Sequence, residues 1–221
     1  MNSRMDIHSR IIQYKESTMN SVELIYYVNQ NDQPTGETPE KLAAHNADTK
    51  LHAAFSCYVF NKQGKFLVTQ RARTKKVWPS VWTNSVCGHP APNETRENAI
   101  KRRLHEELGM SAENITCVVP DYIYKTPPYN GIIEHEYCPI FIATTDQEPQ
   151  ANGDEVGDYK WVDWQWYVDQ LQNDPVDYSA FAEKAPKSFS SDMPKWSWWC
   201  KDQLKHIQKS QEFLNFISSA F

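Results

Sequence analysis

The residues with the clearest chemical potential begin at Gly88 and end in a pair of adjacent carboxylates. Glu94 follows Gly88 after five residues, Arg102 follows after seven more, and the pair is Glu106 and Glu107. Two adjacent glutamates on a helix are usually a solvated face, so the pair alone indicates little. Carboxylate oxygens are, however, the hard ligands that Mg²⁺ prefers. The full spacing predicts a loop and a helix whose acidic side chains hold a divalent metal.

This stretch resembles the Nudix box, which places the same residue types at the same intervals and ends here in Leu108, Gly109 and Met110. One position departs from the box, because Arg103 stands where that family has glutamate. The resemblance implies that Mg²⁺ bound by Glu107 neutralises a diphosphate. In the hydrolases of the family, the missing glutamate helps to bind metals and to prepare water for attack. Arg103 therefore favours an enzyme that holds a diphosphate without cutting it.

Four further blocks resemble the type I isopentenyl-diphosphate isomerases, a branch of the Nudix superfamily. They are KLAAH at 41–45, LH at 51–52, WTNSVCGHP at 82–90 and GIIEHEYCP at 131–139. The resemblance runs from about Glu23 to Trp166. It implies an α/β (α+β) Nudix-like fold, with a mixed β-sheet sandwiched between α-helices. It also implies that the double bond of isopentenyl diphosphate is moved to give dimethylallyl diphosphate, by protonation and deprotonation through a tertiary carbocation.

The resemblance implies two metal sites. One would hold Mn²⁺, Zn²⁺ or Mg²⁺ with three imidazoles and two carboxylates: His45, His52, His89, Glu134 and Glu136. The two carboxylates lie two residues apart in an extended run, so they share one face. The second site would hold Mg²⁺ with the diphosphate, through Glu107 and the carbonyl of Cys87. A lone histidine is more often a surface or core residue, but five ligand types at family positions favour metal binding.

Catalytic and substrate-binding roles follow from the same resemblance. Cys87 would exchange a proton with one substrate carbon, and Glu136 would be the opposing acid with Tyr124 as its hydrogen-bonding partner. A single cysteine at a strand end could equally be a small buried hydrophobe. Four cations would bind the diphosphate: Lys41, Arg71, Lys75 and Arg103.

An indole would stabilise the carbocation in such an enzyme, because an aromatic face attracts cations. In the family this indole belongs to the tryptophan of a Phe-Ser-Pro-Trp motif near the C-terminus. That motif is interrupted here at residues 189–196. Trp196 is the candidate, and the other tryptophans remain alternatives.

The composition is that of a globular protein without a disulfide scaffold. Of the 221 residues, 40% are hydrophobic and 23% are charged, and the net charge is -5. An acidic chain disfavours nucleic acid as its main partner. The five cysteines are an odd number without a Cys-x-x-Cys pair, and no apolar run approaches the roughly 20 residues that span a bilayer. We expect a cytoplasmic monomer or weak homodimer that binds an isoprenoid diphosphate, without membrane or nucleic-acid partners.

Periodicity predicts the elements that would position these residues. The stripe of Ile100, Leu104 and Leu108 predicts a helix over 95–108 with Gly109 as its stop. Two more helices are predicted. One is short, runs over 39–45 and has Thr38 as its N-cap and Pro39 at its first position. The other covers residues 195–216. Apolar runs predict strands at 22–28, 53–60, 66–71, 83–87, 136–144 and 159–163.

One domain boundary is expected, between residues 18 and 19. Residues 19–21 repeat the Met-Asn-Ser of the first three residues. We therefore expect residues 1–18 to be a flexible N-terminal extension and residues 19–221 to form a single Nudix-like domain.

Two other functions compete with the isomerase hypothesis. A Nudix hydrolase of a nucleotide or other diphosphate would share the box, but Arg103 and Cys87 argue against it. A catalytically silent binding module would keep the diphosphate site alone. The presence of Cys87, Glu136 and Tyr124 argues against that second alternative.

Overall fold

The computed structural model describes residues 22–183 and 194–220. The expected extension at residues 1–18 and most of the interrupted motif before Trp196 lie outside the described residues. Within the described ranges, no helix is both long and apolar enough to cross a membrane.

Ten short strands and five helices make up the described part of the chain. The strands are β1 (His52–Ala53), β2 (Phe55–Asn61), β3 (Phe66–Arg71), β4 (Trp82–Thr83), β5 (Val86–Gly88), β6 (Glu113–Val119), β7 (Ile123–Lys125), β8 (His135–Tyr137), β9 (Ile140–Thr145) and β10 (Val156–Val162). The helices are α1 (Lys41–Ala44), α2 (Arg96–Leu108), α3 (Trp164–Gln172), α4 (Trp198–Ile207) and α5 (Gln211–Ala220), with a 3-10 turn at Tyr178–Phe181.

The strands form two sheets. The larger one has the order β10-β3-β2-β9-β6, with β4 paired to β3 and β5 paired to β2. Within it β2 and β9 are parallel, whereas the other pairs are antiparallel. The smaller sheet has the order β1-β8-β7, in which β1 and β8 are parallel. This mixed arrangement confirms the predicted fold class.

Helices cover both faces of the larger sheet. In β2, Tyr58 and Phe60 pack in a core with residues of α3, α4 and α5. Cys57 and Val59 point to the opposite face, where they pack with α2. A central strand buried on both faces is expected to be apolar throughout, which explains the apolar run of this segment. The sheet therefore lies between helices, as predicted.

The predicted helix at 95–108 is confirmed as α2. The side chain of Thr95 accepts a hydrogen bond from the backbone of Asn98 and so caps the first turn. Gly109 ends the helix in the left-handed conformation with φ 59°, and its N–H donates to the carbonyl of His105. The apolar stripe of Ile100, Leu104 and Leu108 is buried, as its periodicity predicted.

Other predicted elements are wrong in extent. The run at 22–28 makes only isolated bridges, such as that between Leu24 and Glu40. Helix α1 begins at Lys41 after Glu40, and it has no side-chain cap, so Thr38 does not start it. The predicted helix at 195–216 is two helices, α4 and α5. The elements β6, β7 and α3 were not predicted.

Two predicted strands are each divided. The strand at 83–87 is interrupted at Asn84 and Ser85, whose side chains bond to neighbouring backbone instead; Ser85 Oγ, for example, donates to the carbonyl of Leu67. The strand at 136–144 is divided before Ile140, where Pro139 has no N–H to donate to a ladder. The chain passes there from the small sheet to the large one.

Candidate active site and metal centre

The five predicted metal ligands lie together, where the end of α1, the small sheet and the residue after β5 meet. One potential ligand atom from each residue lies within 4.8 Å of all the others: His45, His52, His89, Glu134 and Glu136. The parallel pairing of β1 with β8 aligns His52 with Glu136. Strand pairing therefore joins ligands that are far apart in sequence.

Backbone carbonyls orient two of the imidazoles. The Nδ1 of His45 lies 2.6 Å from the carbonyl oxygen of Lys41. The Nδ1 of His52 lies 2.9 Å from that of Lys50. A carbonyl can only accept, so each Nδ1 carries the proton and leaves the Nε2 lone pair for a metal when the ring is neutral.

The remaining nitrogens and carboxylates converge on one point. His89 Nε2 lies 3.2 Å from His52 Nε2 and 3.1 Å from Glu136 Oε1. His45 Nε2 lies 2.8 Å from Glu134 Oε2. Three imidazole nitrogens and two carboxylates that face each other at these distances fit a divalent cation, which all of them can ligate at once. The cluster could hold a divalent metal.

The charges within the cluster are strongly perturbed. Burial lowers the pKa of His89 to about 4, so its ring is neutral. Burial disfavours the charged form of His45, but the hydrogen bond to Glu134, the negative charges of Glu134 and Glu136 and the Lys41 carbonyl together outweigh it and raise the pKa of His45 to about 9. Burial likewise opposes ionisation of Glu136, yet the adjacent imidazoles of His52 and His89 together hold its pKa well below the ordinary value. At neutral pH the protein without metal therefore has an anionic Glu136 and a positively charged His45 in this cluster.

The predicted acid–base residues lie beside this cluster. Strands β7 and β8 align Tyr124 with Glu136, and the phenol donates a hydrogen bond to Glu136 Oε2 at 2.8 Å. Cys87 lies in β5, two residues before His89, and is partly exposed. Burial raises the pKa of the Cys87 thiol, and the nearby negative charge of Glu136 raises it further. The thiol is therefore protonated at neutral pH.

Two of the predicted diphosphate-binding cations already pair with carboxylates. Arg103 donates from Nε to Glu107 Oε1 at 2.8 Å and from Nη2 to Glu155 Oε2 at 2.9 Å. Lys75 Nζ lies 2.5 Å from the same oxygen of Glu155. Glu155 comes from the loop before β10 and was not predicted. Nothing in its local sequence distinguishes it from the other acidic residues of that loop.

The other two predicted cations border the same region. The guanidinium of Arg71 lies 5.7 Å from the ring centroid of Trp199 and donates to the carbonyls of Val77 and Trp78. Lys41 pairs with the carboxylate of Glu23 at 3.0 Å. All four predicted cations thus have partners within the protein.

Trp196, the indole predicted to face the carbocation, lies in the aromatic core. Its side chain is buried and packs against Tyr167, with ring centroids 5.3 Å apart. Two neighbouring tryptophans contact site residues instead. The ring of Trp198 lies 5.9 Å from that of Tyr124, and Trp199 packs against Arg71. The start of α4 decides which indole makes these contacts, and the sequence motif did not locate that start.

The fixed positions of the box have structural roles. Arg102 binds both oxygens of Glu94 at 2.8 Å and also donates to the carbonyl of His89 at 3.2 Å. This ion pair holds the loop that carries His89. A Cβ at Gly88 would lie 3.2 Å from the side chain of Arg103, so glycine allows the loop and helix to approach closely.

Comparisons with known proteins agree with this architecture. A family model described as NUDIX domain matches residues 50–184. The crystal structure of DR0079 from Deinococcus radiodurans has a TM-score of 0.53 at 18% identity, covering 68% of this chain and 90% of that one. At this level of identity the likeness concerns the fold. The class of protein is therefore the Nudix domain.

Closer relatives define a branch of that class. A protein of Saccharopolyspora erythraea named isopentenyl-diphosphate Delta-isomerase is 44% identical over 163 residues, which are 74% of this chain and 84% of that relative. Proteins with the same name from Kocuria rhizophila and Klebsiella pneumoniae are 42% and 47% identical, over 83% and 71% of this chain and 91% and 85% of their own. The chain belongs to the isopentenyl-diphosphate Delta-isomerase family.

Proposed function

We propose that this protein is an isomerase that interconverts isopentenyl diphosphate and dimethylallyl diphosphate, and that it serves isoprenoid biosynthesis. One observation carries the proposal: the Cys87 thiol and the Glu136 carboxylate, with its Tyr124 partner, lie in one site beside a group of cations. Family membership supports the same reaction. A hydrolase would not need a thiol at this place, and a binding module would not need the Tyr124–Glu136 pair.

The reaction needs one proton added to an alkene carbon and another removed from a carbon two bonds away. On one side of the site Glu136, with the phenol of Tyr124 hydrogen-bonded to it, would exchange one of these protons with the substrate. Cys87, on the strand that pairs with β2, is placed to exchange the second proton. Two groups on opposite faces of the alkene allow one to donate while the other accepts. No bond to phosphorus is broken.

The diphosphate would bind at the cations around Arg103 and Lys75, with Arg71 and Lys41 at the border of the same region. In the protein without substrate, the carboxylate of Glu155 forms ion pairs with both Arg103 and Lys75. A diphosphate carries more charge than one carboxylate and offers more acceptors, so it can compete for these donors. Glu107 and the carbonyl of Cys87 would hold Mg²⁺ against the diphosphate, which offsets the negative charge of the buried Glu107.

The five-ligand cluster would hold a second divalent ion, for which Mn²⁺, Zn²⁺ and Mg²⁺ all suit the mixture of nitrogen and oxygen ligands. When bound, such an ion would tune the acidity of the Glu136 carboxyl. We propose Trp198, whose ring lies beside that of Tyr124, and Trp199, which packs against Arg71, as the indoles that face the carbocation, in preference to the buried Trp196. An aromatic face contributes about 2 kcal/mol or more to a desolvated cation.

Isotope incorporation tests the proposal directly. The protein is incubated with isopentenyl diphosphate and Mg²⁺ in D₂O, and products are followed by NMR together with a phosphate assay. We expect deuterated dimethylallyl diphosphate and no released phosphate. Phosphate release without isomerisation would identify a hydrolase instead. A protein that binds the substrate but changes neither isotope content nor products would be a binding module.

A substitution at the thiol tests the assignment of roles. Cys87→Ala is expected to lower kcat by about 10²- to 10⁴-fold, since general acid–base groups contribute that much. Substrate affinity, measured by calorimetry, is expected to remain close to that of the wild type. Cys117→Ala is the matched control, because Cys117 is a half-buried cysteine of β6 outside the site. Retained turnover in Cys87→Ala would remove the thiol from the mechanism.

A further inference from the structure

A chain of buried polar side chains lies directly behind Cys87. From these contacts we infer that Asn84, Ser56 and Gln203 are positioning residues that hold the Cys87 thiol in one orientation. The inference rests on the proposed isomerase reaction, in which the direction of the thiol proton matters. None of these three residues was singled out by the sequence.

Asn84 sets the direction of the thiol proton. Its Nδ2 donates to the carbonyls of Cys57 at 3.1 Å and Val86 at 3.2 Å. Because both partners can only accept, the amide cannot be flipped without losing both bonds. Its Oδ1 therefore faces Cys87 Sγ, which lies 3.0 Å away. An amide oxygen accepts only, so the S–H must point to Asn84.

Ser56 must then be the donor in its own contact with the thiol. Its Oγ lies 3.2 Å from Cys87 Sγ, and Cys87 has a single proton, which Asn84 already receives. Gln203 explains why the hydroxyl can turn this way, since its Nε2 donates to Ser56 Oγ at 2.7 Å. The other end of the amide accepts from the phenol of Tyr58 at 2.9 Å. Cys138 Sγ lies farther from the same Oγ, at 3.5 Å, so the contact with Cys87 is the shorter of the two that the serine hydroxyl makes with sulfur.

Burial makes this order costly to change. Asn84, Gln203 and Tyr58 are 0% exposed and Ser56 is 1% exposed. A buried polar group that loses its partner is strongly disfavoured, because no water replaces the lost bond. A cysteine side chain alone could occupy three staggered rotamers. Two directed hydrogen bonds select one of these rotamers. Because Gln203 belongs to α4, the position of α4 determines the orientation of the thiol.

The consequence for catalysis concerns rate rather than affinity. Gln203→Met keeps the length of the side chain but removes the donor to Ser56, so the serine hydroxyl can rotate and the thiol gains a second orientation. We expect kcat to fall by about 10- to 100-fold, since small misplacements of a reacting group cost this much. The KM for isopentenyl diphosphate should not change, because Gln203 contacts none of the diphosphate-binding cations.

Gln208→Met is the matched control, since Gln208 is exposed at the end of the same helix. Its kcat should equal that of the wild type. A folded Gln203→Met protein with wild-type kcat would overturn the inference, provided the wild type itself converts isopentenyl diphosphate. A rise in KM at constant kcat would overturn it too, because it would indicate a role in binding.

The S–H stretching band supplies a readout that does not depend on activity. Infrared spectra of the wild type minus those of Cys87→Ala isolate the Cys87 band. One band is expected in the wild type, and two in Gln203→Met, where the freed serine hydroxyl offers the thiol a second acceptor. Ser56→Ala leaves Asn84 as the acceptor, so one band is expected, shifted because Sγ no longer accepts a hydrogen bond. A single unshifted band in both variants would overturn the inference. Absence of isomerase activity in the wild type would refute the proposed function alone, since the band still reports the orientation.

Discussion

Arg103 alters the chemistry of the helix at the level of a single residue. A guanidinium replaces the carboxylate of the Nudix box and lies 2.7 Å from Glu107. Burial disfavours its charge, but Glu107 and Glu155 more than compensate and raise the pKa of Arg103. The helix therefore presents fewer carboxylates to metal ions and a permanent cation to a phosphate. This change suits a site that retains a diphosphate.

The pair of Glu94 and Arg102 makes a prediction about stability and pH. Hydrogen bonding from Arg102 lowers the pKa of Glu94 below its ordinary 4.5. A carboxyl group whose pKa is lower in the folded than in the unfolded state stabilises the protein at pH values above its unfolded-state pKa. This contribution is lost as the pH falls through the folded-state pKa. Glu94→Gln is thus expected to cost about 1 kcal/mol at pH 7, after allowing for partial exposure to solvent.

Urea unfolding between pH 3 and pH 7 measures this effect. The difference between Glu94→Gln and the wild type should shrink as the pH falls below about 4.5, the ordinary pKa of a glutamate. Glu97→Gln is the control, because Glu97 is exposed in the first turn of α2 and has no ion pair described in the structure. A difference that stays constant over this range would contradict the role of the Glu94 charge.

The turn that ends α2 makes a prediction at the level of an element. Gly109 has φ 59°, and an added Cβ would lie 3.0 Å from Gln150 Cβ and 3.3 Å from the Gln150 carbonyl oxygen. Gly131 also has a positive φ, of 75°, but nothing lies within 4 Å of its Cβ position. Alanine costs about 1 to 2 kcal/mol at either site through its conformation alone.

Gly109→Ala should therefore destabilise the protein more than Gly131→Ala does, because only the first adds a steric contact. Chemical denaturation of both variants measures the two free energies of unfolding. Equal losses would mean that the chain around Gln150 moves away without cost. A larger loss in Gly131→Ala would contradict the explanation from contacts.

The metal cluster joins parts of the whole molecule that are otherwise separate. His45 belongs to the end of α1, His52 and Glu136 to the small sheet, and His89 to the loop after the large sheet. An ion bound to all of them would hold these parts together, since metal binding to the folded state adds directly to stability. At a concentration of about 100 times Kd, a ligand adds about 2.7 kcal/mol.

Removal of metal by a chelator should accordingly lower Tm, and addition of Mn²⁺ or Zn²⁺ should restore it. His89→Ala is expected to lose this dependence, whereas His105→Ala should keep it because His105 is exposed on α2. Elemental analysis of the purified protein would identify the ion. Identical melting curves with and without chelator, in a protein shown to contain metal beforehand, would contradict a bridging role for the ion.

The sequence by itself determined the features that depend on local pattern. The stripe from Ile100 to Leu108 and the left-handed glycine that follows it define α2, because helix periodicity and capping involve residues a few positions apart. The ligand-type side chains and Arg103 were also found without a structure. Their residue types indicate which chemistry is possible. Strand pairing in the folded protein then brings the metal ligands together.

Only the tertiary structure decided which distant residues complete the site. Glu155 reaches Arg103 from 52 positions away, and Gln203 reaches Ser56 from 147 positions away. The tertiary structure also set Trp198 beside Tyr124 and Trp199 beside Arg71, with Trp196 in the aromatic core, since these contacts depend on where α4 begins and how it packs. Such contacts follow from the way whole elements pack against each other, and no local propensity carries that information.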